Sequence, residues 1–212
     1  MTRAVWLHSP RVCASAAVQR AVFALLAFSL SVIGLAVLPS SAFAVDPAGA
    51  EAEGEVAEPS DYRIDNYRAP VPKTLKGARV ISAEEAEPLW RDKTAIFIDV
   101  FPRAPKPENL PASTVWRDPT HMSMEGAHWL PNVGYGVLSP AFEEYFRTRL
   151  SALSGGDLSR PVVFFCQKDC WMSWNAAKRA LEWGYKSVIW FSEGTDAWQE
   201  AGYDLKRVEP VP

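Results

Sequence analysis

Two cysteines, Cys166 and Cys170, follow the most strand-like apolar run in the chain, Pro161 to Phe165. Gln167, Lys168 and Asp169 lie between them, and Trp171, Met172 and Ser173 lead into an expected helix from Ser173 to Trp183. A buried strand, a cysteine, six residues and a helix start form an arrangement suited to sulfur chemistry. Backbone N–H groups in such a loop can face inward, joined by the orphan N–H groups and positive dipole end of the helix. That setting binds anions and favours a thiolate. A thiolate at Cys166 can attack sulfur, selenium, phosphorus or disulfide centres. Cys170 is then the resolving thiol. If the two bridge, the ring is too short to be much of a staple, so its purpose is chemical.

Several blander readings compete. Cys166 can be an inert strand-end residue and Cys170 a spare thiol. Paired cysteines with His121 or His128 can bind copper or zinc, but neither histidine has a fixed spacing to them. No metal or cofactor is therefore assigned, and His128 is expected to be structural. Trp171 and Trp174 flank the loop and can stack on a planar ligand, although tryptophan is more often core. Asp99 ends another apolar run near the same sheet edge and is expected to support a loop through hydrogen bonds.

The elements around these residues alternate in type. Arg79 opens a short strand, and Ser82 with Glu85 forms a capping-box pattern for a helix. Ala95 to Val100 reads as a strand buried on both faces. From Phe101 to Leu138 six prolines exclude a long helix or a central strand, and so long a loop is often functional. Ser139-Pro140 opens a helix with Phe142, Phe146, Leu150 and Leu153 as its buried stripe. Ser187 to Phe191 is a further strand, and a short helix carrying Trp198 ends at Gly202. This order implies an α/β domain with a mostly parallel central sheet and helices on both faces.

Residues 1–44 read as an export signal. Arg3, Arg11 and Arg20 precede an apolar run from Ala21 to Leu38, and Ala42-Phe43-Ala44 suits a signal peptidase. Cleavage there predicts a periplasmic form starting at Val45, with no membrane span left. Residues 45–76 are expected to be an acidic linker and an extended segment wrapping the domain, and residues 77–212 the domain itself. The signal holds three of the 22 basic residues and none of the 25 acidic ones, so the remainder carries a net charge of −6. With no basic surplus, nucleic acid is not an expected partner.

The stretch from about Arg79 to Leu205 resembles the rhodanese family. The likeness rests on AIFIDV ending at Val100, MEGAHWLP from Met124 to Pro131, VVFFC ending at Cys166, SWNAAKRALEWGY, and EGTDAWQEAGYDL. It implies a rhodanese-like domain with Cys166 as the persulfide-carrying nucleophile. This sequence departs from the family pattern at Met172, where an anion-binding arginine commonly stands, and in a loop one residue longer that holds a second thiol. Asp169 adds a negative charge, leaving Lys168 and backbone N–H groups to hold an anion. A finer likeness, on CWMSWNAAKRA, WLPNVGYG and WFSEGTDAW, is to the exported rhodanese-like proteins associated with PQQ-dependent catabolism and labelled for a CXXCW motif. Here three residues, not two, separate the cysteines.

That likeness implies action near a PQQ-dependent dehydrogenase or a c-type cytochrome, on a small thiol, persulfide or disulfide. The expected function is sulfurtransferase-like or disulfide-exchange chemistry at Cys166 with Cys170. The alternatives are a non-catalytic binding or maturation module for the dehydrogenase and cytochrome system, and an inactive scaffold that recognises a partner.

Overall fold

The computed structural model describes residues 55–111, 113–117 and 119–212. The expected export signal and most of the acidic linker lie outside the described residues. Among the described residues no helix is long and apolar enough to cross a membrane.

Strand β1 (Arg79–Val80) leads to helix α1 (Ala83–Arg91), and strand β2 (Ile96–Asp99) follows. Strands β3 (His121–Met124) and β4 (His128–Trp129) precede helix α2 (Pro140–Ser154). Strand β5 (Val162–Phe165), helix α3 (Trp171–Glu182), strand β6 (Val188–Phe191), helix α4 (Gly194–Glu200) and strand β7 (Leu205–Val208) complete the order. Five strands form one sheet in the order β1-β6-β5-β2-β4, and every neighbouring pair is parallel. β3 and β7 form a separate antiparallel pair. The fold class is α/β, as expected from the alternation of elements.

Every residue of β2, β5 and β6 is buried, which is why these strands are apolar runs, interrupted only by Asp99 at the end of β2. Alternate side chains supply two cores. Ile98, Phe164 and Trp190 pack under α2 and α3, whereas Phe97, Phe165 and Phe191 pack under α1 and α4. Each such side chain contributes about 1.5–3 kcal/mol by leaving water.

Local rules account for the helix starts. Ser82 Oγ accepts from the Glu85 N–H and the Ser82 N–H donates to the Glu85 carboxylate, completing the capping box of α1. Ser139 Oγ accepts from the Phe142 N–H at the start of α2, with Pro140 in the first turn. Phe146 and Leu150 are fully buried in the expected stripe, but Phe142 is 40% exposed and Leu153 only half-buried. The stripe is therefore narrower than the sequence spacing suggests.

The stretch from Phe101 to Leu138 is not wholly irregular. Between Pro119 and Pro131 no proline interrupts the chain, and β3 and β4 fit there. Among the described residues β4 is an outer strand of the main sheet, with β2 as its neighbouring strand. Beyond it, Pro210 bridges Trp129 and the Val211 N–H donates to the Trp129 carbonyl at 2.8 Å. The Tyr145 hydroxyl fixes the same residue by donating to the Val211 carbonyl.

Candidate functional site

β5 delivers Cys166 at the carboxyl end of the sheet, where α/β folds gather their chemistry. The Cys166 carbonyl accepts from the Thr195 N–H at 3.0 Å and from Thr195 Oγ1 at 3.2 Å. Gly194 (φ +53) is pressed so closely onto this carbonyl that a side chain there would collide with backbone. Gln167 bridges Gly194. Asp169 adopts φ +54, turning the chain so that Cys170 caps α3. Cys166 and Cys170 are joined by a disulfide, with their Cα atoms 6.2 Å apart. Each cysteine is 1% exposed.

Two N–H groups of the expected anion nest are already engaged from within the molecule. The Lys168 N–H donates to the Asp196 carboxylate of α4 at 3.2 Å, so the loop's anion is a side chain of the same molecule. The Trp171 N–H, an orphan at the start of α3, donates to the Tyr67 carbonyl at 2.9 Å. Neither N–H faces an incoming ligand.

The loop is also shorter than its sequence suggests. With Cys170 tied back to Cys166, α3 starts at Trp171, so Trp171, Met172 and Ser173 are its first turn. Met172 is 1% exposed and points into the core, and Gly134 packs against its backbone. The place read as the substrate-facing position of a family arginine therefore faces inward. Ser173 is buried, accepting from Trp190 Nε1 at 3.0 Å and donating to the Cys170 carbonyl at 3.1 Å. Trp171 donates through Nε1 to the Pro70 carbonyl, while the Arg63 guanidinium sits 5.3 Å from its ring centre. Trp174 meets Trp171 edge-on and donates to the Thr74 carbonyl. Both indoles are core, with no open face for a planar ligand.

The extended segment before β1 supplies what sequence reasoning missed. Arg68 lies opposite Cys170 in an antiparallel bridge, and its guanidinium donates to the Lys168 carbonyl at 2.6 Å. The Ala69 N–H donates to the Asp169 carbonyl at 3.1 Å. Tyr67 to Pro70 thus lies as a strap along the cysteine loop. Only the extended, proline-bearing character of this segment hinted at a wrapping role, and nothing in it pointed to Cys170 a hundred residues away.

Asp99 supports a different region. Register pairs it with Phe165, so its side chain lies on the α1 and α4 face, opposite to Cys166. Fully buried, it accepts from the Phe101 N–H (2.8 Å), His121 Nε2 (2.7 Å) and Ser123 Oγ (2.5 Å). The His121 ring is held between Phe101 and Trp129. Asp99 therefore ties together both ends of the long loop between β2 and β3.

With His121 engaged there and both sulfurs in a disulfide, the mixed cysteine–histidine metal set is not assembled. Among the described residues no group of three or more His, Cys, Asp or Glu side chains is placed to hold a metal ion.

His128, on β4, is pushed below its ordinary pKa by burial. The unfolded chain therefore takes up this proton first as pH falls. The contribution is present above about 6.5 and is lost as pH falls through the unfolded value towards the folded one. A His128→Gln variant is expected to show a shallower loss of stability over this range in urea titrations.

No family model matches the chain, and no curated protein matches it. Among solved structures it is similar to a thiosulfate sulfurtransferase from Pseudomonas aeruginosa, at 18% identity and a TM-score of 0.42 over 63% of this chain. The chain spans only 21% of that protein's length. It is also similar to a polysulfide-sulfur transferase homodimer from Wolinella succinogenes, at 23% identity and a TM-score of 0.39. That match covers 61% of this chain and 79% of the other.

Proposed function

We propose that this protein is a periplasmic, rhodanese-like thiol–disulfide or persulfide exchanger in which Cys166 and Cys170 react as a pair. The observation that carries the reading is the disulfide itself. It closes a five-residue ring between the end of a central strand and the cap of α3, where its architectural value is small.

In the reduced state, the Cys166 thiolate attacks a disulfide R–S–S–R′, forming a mixed disulfide and expelling R′–S⁻. Cys170, as a thiolate, then attacks the Cys166 sulfur, closes the internal disulfide and expels R–S⁻. The substrate gains the two electrons that the pair loses. With a persulfide R–S–SH, Cys166 takes the terminal sulfur and releases R–S⁻. Cys170 closure then expels that sulfur as HS⁻, and two external thiols regenerate the dithiol, leaving joined as their own disulfide R″–S–S–R″.

The sequence likeness supports a setting in PQQ-dependent alcohol catabolism, with a PQQ dehydrogenase or c-type cytochrome as partner. Loss of the coding sequence should then slow growth on an alcohol oxidised by such a dehydrogenase, but not on a sugar.

Thiosulfate:cyanide sulfur transfer is expected to be weak. A thiosulfate dianion beside a thiolate needs positive charge, and α3 offers Met172 turned inward. Losing one charge-assisted contact costs about 1.5–3 kcal/mol, or roughly 10- to 150-fold in affinity. Met172→Arg should not restore it, because the guanidinium would be buried without a partner, and the variant should instead lose stability. Steady-state thiosulfate assays beside a glutathione disulfide assay test both points. Thiosulfate turnover at the rate of an ordinary rhodanese would overturn the reading.

The near-complete burial of both sulfurs favours a second reading, a non-catalytic binding or maturation module. It takes the lead if neither assay shows turnover that depends on Cys166.

A further inference from the structure

We propose that Tyr67 to Pro70 is a gate, and that this strap must lift before either sulfur of the Cys166–Cys170 pair can exchange. The inference deepens the exchange reading and rests on it for its biological meaning, but it is carried by geometry.

Thiol–disulfide exchange needs an incoming thiolate to reach a sulfur. One S–S bond then forms while the old one breaks, its electron pair leaving on the other cysteine. At 1% exposure of each cysteine there is no room for that approach. The cover on the loop is the strap. Its contacts are the Arg68 guanidinium on the Lys168 carbonyl, the Ala69 N–H on the Asp169 carbonyl, and the Tyr67 and Pro70 carbonyls accepting from the Trp171 backbone and indole N–H groups.

The ends of the segment are fixed more firmly than its middle. Upstream, Asn175 grips Arg63 twice, accepting from its N–H at 3.0 Å and donating to its carbonyl at 2.8 Å. Downstream, Trp174 donates to the Thr74 carbonyl, and Leu75 is buried in the core. Asn66, at φ +40, turns the chain into the strap. Tyr67 anchors the near end, with its ring edge-on to Tyr135 and its hydroxyl accepting from the Gly136 N–H. Arg68 and Pro70, by contrast, are exposed and Ala69 buries only a methyl group, so the middle is held chiefly by hydrogen bonds. A segment with few buried apolar contacts, clamped at both ends, opens locally without global unfolding. Each net hydrogen bond sets that opening equilibrium by about 2- to 12-fold.

The test is reduction of the native disulfide by dithiothreitol, sampled by quenched alkylation and intact mass. Reduction of the folded protein should be at least about 100-fold slower than in urea, where every bond is equally accessible. Arg68→Ala should speed it about 3- to 10-fold, and Ala69→Pro, which removes the N–H donor, by a similar factor. Melting temperature and circular dichroism show that each variant remains folded, and Arg68→Ala, which alters an exposed side chain, serves if Ala69→Pro does not. If the purified chain is already a dithiol, iodoacetamide alkylation of Cys166 should follow the same order. Reduction or alkylation as fast as in urea, or unchanged by both folded variants, overturns the gate. An overturned gate with Cys166-dependent turnover leaves the exchange reading standing. A gate that behaves as expected without turnover removes the exchange reading alone.

Discussion

Cys166→Ser is expected to lower exchange turnover by at least about 1,000-fold, because the exchange reading gives the first attack to Cys166 and leaves Cys170 only the resolving step. Cys170→Ser should behave differently. Its Cys166 can still attack glutathione disulfide, but the mixed disulfide has no resolving thiol and should accumulate as a single glutathione adduct in intact mass. Either substitution opens the five-residue ring, which costs on the order of 2 kcal/mol by loop entropy. The two variants should therefore melt at similar temperatures, and any difference between them is chemical. Equal turnover by wild type and Cys166→Ser would end the case for a nucleophile there.

The largest structural effect is expected at Asp99, far from the reacting sulfurs in role if not in sequence register. Asp99→Ala leaves three donors, those of Phe101, His121 and Ser123, without their acceptor around a position that is itself fully buried. Leaving buried donors unsatisfied and removing charge-assisted bonds should cost about 3–5 kcal/mol. For a chain of this size that lowers the melting temperature by on the order of 10 °C. Asp99→Asn keeps the volume but turns one acceptor into a donor, so it should recover only part of the loss. Thermal unfolding followed by circular dichroism separates the three proteins. Wild-type-like melting of Asp99→Ala would show that the two ends of the long loop are held by something else.

Much of the frame was legible because its signals are local. The Ser82–Glu85 box, Ser139-Pro140 and the apolar runs of β2, β5 and β6 each carry their own instruction within a few residues. The elements that escaped depend on partners far along the chain. β3 is a strand because His121 to Met124 pairs with Leu205 to Val208, more than eighty positions away, and β7 exists for the same reason. The cysteine pair and its place after β5 could be read directly. What surrounds it could not. Asp196 fills the Lys168 N–H, and Arg68 lies over the loop, through tertiary packing that leaves no trace in spacing. α3 begins at Trp171, two residues before the expected start at Ser173. Ser173 is a buried relay between Trp190 and Cys170.

The tail beyond β7 has a consequence for solution behaviour. β4 ends the sheet, and a terminal strand is an open template for pairing with another molecule. Val211 occupies the Trp129 carbonyl, while Pro210, which has no N–H to donate, sits beside that residue. The tail thus covers part of this edge, and a tag or fusion that pulls Val211 away from Trp129 would bare a seam open to strand-to-strand stacking.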